Sequence, residues 1–117
     1  FMSWPYKNRP EMQNKLEEEF FKVSKINKLR MIPAGQAFLY VNQNYPSINL
    51  YTEDLRHPSK EGTYLAALMV FITLSNKSPV GNTYIMDLDP KVAGTLQKAA
   101  WTSYEDFQKK ALISGLK

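Results

Sequence analysis

Asp54-Leu55-Arg56-His57-Pro58-Ser59-Lys60-Glu61-Gly62-Thr63-Tyr64-Leu65-Ala66-Ala67 holds the single histidine of the chain, with a carboxylate three residues ahead of it. With ordinary pKa values near about 3.9 and about 6.5, such an aspartate is ionised at neutral pH. It can accept a hydrogen bond from the imidazole Nδ1-H and leave Nε2 as a free base. This is the base half of a nucleophile relay. The residues after His57 predict a helix beginning at Pro58 or Ser59. Its apolar residues Leu65, Leu68, Met69, Val70, Phe71 and Ile72 occupy nearly every side, so protein must cover most of its circumference. A histidine at the mouth of so buried a helix is held rigidly, which suits a base.

The pattern D-x-x-H-P-S, followed by Gly62, by Tyr64-Leu65-Ala66-Ala67 and later by Ser78-Pro79-Val80-Gly81, resembles the C-terminal block of the SGNH (GDSL-like) hydrolase family. That resemblance implies a three-layer α/β/α sandwich of the flavodoxin-like kind. It implies an ester hydrolase in which Asp54 orients His57, and His57 takes the proton of a serine. The family's serine stands in a Gly-Asp-Ser turn, and this chain has none; its serines lie in other contexts. The expectation is therefore that residues 1–117 are the C-terminal part of a single such domain. The nucleophile and the oxyanion donors would then lie upstream, and so would any signal peptide, which leaves localisation unknown and a secreted or periplasmic location open. The substrate class implied is an acylated carbohydrate or another small ester. One departure is Leu55, where many relatives have glycine: a leucine is expected to keep φ below zero there.

The remaining elements are read outward from this block. Phe1-Met2-Ser3-Trp4, closed by Pro5, has the form of a strand tail, which would bring Trp4 and Tyr6 near the pocket. Asn8 to Glu11 opens a helix whose apolar positions Met12, Leu16, Phe20, Val23 and Ile26 follow steps of three and four, predicting a face laid on a sheet. Leu29 to Pro33 predicts a short buried strand, with proline at its end. Ala34 to Ala37 is expected to turn the chain, placing Gln36 and Phe38 along the crevice, before a short helix or turn over Phe38–Asn42. Asp89 and Pro90 predict a helix start with Val92 and Leu96 inside. Thr102-Ser103-Tyr104-Glu105 has the form of a capping box opening a separate last helix.

At 117 residues with 44% apolar content, the chain is at most one domain with a core. Its net charge of +4 comes from scattered basic residues interleaved with acids, which argues against a nucleic-acid partner. The apolar run from Tyr64 to Leu74 is well short of the roughly 20 residues that span a bilayer, so no membrane partner is expected. Zero cysteines exclude disulfides, and no clustered metal ligands or phosphate-cradling glycine loops call for a metal or cofactor. The expected partners are a small ester and either the missing half of the domain or a second copy, because open strand edges and an all-apolar helix need covering. The competing function is a non-catalytic carbohydrate-binding or interaction module, with Trp4, Tyr6, Tyr40, Tyr45 and Tyr51 as an aromatic surface.

Overall fold

Four helices and no sheet make up residues 3–113, the part of the chain that the computed structural model describes. They are α1 (Met12–Asn27), α2 (Ala34–Asn44), α3 (Lys60–Ser75) and α4 (Pro90–Ile113). Helices α2, α3 and α4 pack against one another in all three pairs, while α1 lies against α2. The core between them joins Phe38 and Val41 of α2 and Leu65, Met69 and Ile72 of α3. To these α4 adds Leu96 and Ala100, and the loop ahead of α3 adds Leu50 and Tyr51. Each large side chain so buried contributes about 1.5–3 kcal/mol.

Local signals explain the starts of α3 and α4. Ser59 stands in extended conformation as the N-cap of α3, its hydroxyl accepting from Gly62 N at 3.1 Å. Asp89 Oδ1 accepts from Lys91 N at 2.9 Å and Val92 N at 3.3 Å, and Pro90 is the first helical residue of α4. The interior of this region is polar but satisfied. Gln97 donates from Nε2 to Tyr64 Oη and to Asn82 O, both at 2.9 Å, and accepts from Gly81 N at 3.0 Å. Tyr64 in turn donates to Tyr84 O, so one buried amide and one phenol pin the segment between α3 and α4.

The helical architecture overturns the expected α/β/α sandwich and its flavodoxin-like topology. An extended stretch becomes a strand only when a neighbour takes its backbone bonds. Among the described residues, Leu29 to Pro33 has no such neighbour. Leu29 N instead closes the end of α1 by donating to Ser24 O at 3.0 Å. Met31 and Pro33 are buried with Ile32 half-buried between them, but Leu29 and Arg30 both face out, so the alternation of a strand does not extend over the segment. Ser3 and Trp4 are irregular, and Phe1 and Met2 of the expected strand tail lie outside the described residues. The single β-bridge among the described residues pairs Tyr51 with Pro58.

Three helix expectations are also corrected. The expected turn at Ala34–Ala37 is the first turn of α2, despite its glycine. A Cβ on Gly35 would lie 2.1 Å from Gln13 Oε1 and 2.9 Å from Ser3 O, so glycine is there to let α1 approach rather than to bend the chain. The buried face of α1 is Gln13, Glu17 and Ser24, whereas Val23 and Ile26 point outward. This is the expected stripe displaced by one residue, or about 100° around the helix. Glu17 explains the choice: it accepts from Gln36 Nε2 at 3.0 Å and from Lys110 Nζ at 2.6 Å, joining α1 to α2 and α4. Finally, α4 runs unbroken through Thr102–Glu105. Ala93, Leu96, Ala100, Ser103, Phe107 and Ala111 are all buried and follow steps of three and four, so tertiary packing overrides the local cap signal.

Candidate functional site

The loop from Leu50 to Ser59 is a narrow return closed by backbone bonds. Ser59 N donates to Leu50 O at 2.9 Å, Thr52 N to His57 O at 2.8 Å, and Leu55 N to Thr52 O at 3.0 Å. Asp54 sits at its tip and organises it. Its Oδ1 accepts from Thr52 Oγ1 (2.9 Å), Arg56 N (2.9 Å) and His57 N (3.0 Å). Its Oδ2 is hydrogen-bonded to His57 Nδ1. One carboxylate oxygen thus builds the turn and the other holds the imidazole.

These bonds keep the Asp54 carboxyl well below the usual carboxylate range. The His57 ring bond is the largest cause, followed by the amides of His57 and Arg56, with Thr52 adding to them. A carboxyl lowered in the folded state stabilises above its unfolded value, near about pH 4. That contribution is lost as pH falls through the lowered folded value. The His57 side chain is 78% exposed, so with Nδ1 turned to Asp54 the Nε2 edge is open. The arrangement can hold the Nδ1-H tautomer and offer Nε2 as a proton acceptor.

The N-terminal segment laces onto this loop from outside. Lys7 N donates to Leu55 O at 2.9 Å, Trp4 Nε1 to Arg56 O at 3.0 Å, and Tyr51 Oη to Pro5 O at 2.7 Å. Lys7 Nζ reaches Asn49 Oδ1, which also accepts from Tyr51 N. The Arg56 guanidinium lies over the Tyr6 ring, 4.9 Å from its centroid. None of these contacts across some fifty residues has a local sequence signal. Only Thr52, two residues ahead of Asp54, could have been named from the turn chemistry of its neighbour.

Leu55 contradicts the expectation of a negative φ: it sits at φ 61°, in the left-handed region. The turn needs that conformation to bring Asp54 back onto the amides of Arg56 and His57, and a leucine there costs about 1 kcal/mol or more. Leu55→Gly should therefore stabilise the chain by about 0.5–1 kcal/mol in urea unfolding, the relief exceeding the added freedom of the unfolded glycine.

The other predicted pocket residues are divided. Tyr6 joins the loop by its contact with Arg56, the residue before His57. Trp4 joins the same loop by its indole N–H, but its ring is stacked on Phe38 with centroids 5.1 Å apart. Phe38 is fully buried and lines no cleft. Gln36 is turned to Glu17 on the α1 side. Of the aromatic surface imagined for sugar binding, Tyr51 is 1% exposed and belongs to the core. The serine nearest in sequence, Ser59, is committed: its hydroxyl donates to Asn49 O at 2.8 Å while capping α3. Among the described residues, no group of three or more metal-ligating side chains occurs, and no helix is long and apolar enough to cross a membrane. No family model, no curated protein and no solved structure matches this chain.

Proposed function

We propose that His57 is the general acid–base group, and Asp54 the carboxylate that orients it, of an ester-hydrolysing site whose nucleophilic serine comes from outside residues 1–117. The observation that carries this reading is the Asp54–His57 bond at a solvent-open imidazole. A carboxylate that fixes Nδ1 leaves Nε2 aimed outward as the acceptor. The D-x-x-H-P-S resemblance supplies the reaction class, and the helical fold lends it no support.

In this reading the serine Oγ attacks the ester carbonyl as its proton passes to His57 Nε2. The protonated imidazole then gives that proton to the departing alcohol, leaving an acyl-serine. Water attacks the acyl-serine, His57 Nε2 takes a proton from the water, and returns it to the serine as the carboxylic acid leaves. Asp54 stabilises the imidazolium in each half. The alcohol or acyl portion belongs to an acylated carbohydrate or a similar small ester. No step calls for a metal or cofactor. Partner cover for the exposed Val23, Ile26, Phe71 and Leu74 would come from the same additional polypeptide or from a second copy.

Fluorophosphonate labelling of the protein expressed from its full reading frame tests the reading. The label should fall on a serine outside residues 1–117, and labelling should fall with loss of His57. Label on a serine within these residues would relocate the nucleophile, and no labelled serine at all would reject the function.

A further inference from the structure

Arg56 immediately precedes His57, and its side chain makes no hydrogen bond within the turn. Its backbone is already fixed at both ends, N–H to Asp54 and C=O to Trp4, so the guanidinium is not needed to hold the loop. That guanidinium lies over the Tyr6 ring, 4.9 Å from its centroid, a contact that uses none of its N–H groups as a hydrogen-bond donor to another side chain. Arg56 is solvent-exposed and its five N–H groups make no hydrogen bond among the described residues. Among the described residues, no carboxylate forms an ion pair with it, and the Asp54 carboxylate is engaged in hydrogen bonds to the His57 ring and the turn. The neighbouring cation Lys7 is bonded to the neutral Asn49 amide. The opposing charge in the loop, Glu53, is solvent-exposed. An exposed guanidinium held against Tyr6, with no carboxylate partner among the described residues and one residue along the chain from the open imidazole, is complementary to a carboxylate, which it can grip with two parallel bonds.

Resting on the proposed hydrolytic site, we infer that Arg56 makes it select esters carrying a carboxylate close to the scissile bond, such as acylated acidic sugars. Tyr6 holds the guanidinium in place, and Lys7 adds to the local positive field. Arg56 is here a specificity residue and takes no part in proton transfer.

The test is a titration of the 117-residue chain with D-glucuronate and, separately, with uncharged D-glucose, followed by the NMR shifts of the Trp4 indole N–H and the His57 ring. Glucuronate should shift both signals at concentrations where glucose shifts neither. Arg56→Gln should weaken glucuronate binding about tenfold or more, the worth of a charge-assisted bidentate contact. Arg56→Lys, which keeps the charge but loses the fork, should lie between. His57→Ala should leave the glucuronate preference in the Trp4 signal intact, which separates failure of this inference from failure of the hydrolytic reading. Equal shifts with glucose, no shift with glucuronate, or an unchanged affinity in Arg56→Gln would each overturn the inference.

Discussion

His57→Ala will lower the hydrolysis of an activated acetyl ester by about 10⁴-fold or more in a protein that carries both this chain and its serine. Groups that pass one proton act as a unit, so removing the base costs nearly all that the serine contributes. Asp54→Asn will be milder, leaving roughly 10²-fold more rate than His57→Ala, because the imidazole remains and mainly its tautomer and orientation are disturbed. The order of the two effects matters as much as their size. A histidine that served only the turn would give the reverse, since Asp54 makes the three bonds that shape the loop. Rates of the two variants, measured beside circular dichroism to show that both are folded, check this. Full activity in His57→Ala contradicts it.

Gly62→Ala is expected to destabilise the chain by about 2–4 kcal/mol, although alanine alone favours a helix by about 1 kcal/mol over glycine. The reason is contact, not propensity. A Cβ at position 62 would lie 2.1 Å from Leu50 O and 3.1 Å from Pro58 Cβ. The Leu50 carbonyl is backbone and accepts the Ser59 amide at 2.9 Å. It cannot swing aside as a side chain could. Moving it breaks that bond, disturbs the N-cap and displaces the loop that ends in His57. Gly94→Ala, in α4 with nothing within 4 Å of its Cβ, is the control and should stabilise by about 0.5–1 kcal/mol. Urea midpoints of the two variants should therefore move in opposite directions; a similar small rise in both would contradict the close approach.

What could be read in advance was what is local. Ser59 and the pair Asp89-Pro90 mark helix starts because a cap binds amides two or three residues on. The Asp54–His57 bond is likewise a three-residue relation. The sheet failed because a strand is not local: Leu29 to Pro33 has the composition of one, yet nothing among the described residues pairs with it. In α1 the apolar spacing pointed to one face, and Glu17, through Gln36 and Lys110, selected the face beside it. Thr102–Glu105 spelled a cap that the continuous buried stripe of α4 overrode. Around the site, the Arg56–Tyr6, Lys7–Leu55 and Trp4–Arg56 contacts depend on the N-terminal segment folding back over the loop, which no spacing encodes.

The central claim, that Asp54 fixes His57 with Nε2 as the free acceptor, can be measured on the 117-residue chain by long-range ¹H–¹⁵N NMR of the imidazole. In the neutral ring the account predicts the proton on Nδ1 and an unprotonated Nε2, with Asp54→Asn shifting the population toward the other tautomer. A neutral ring protonated on Nε2, or a tautomer balance that Asp54→Asn leaves unchanged, would contradict it.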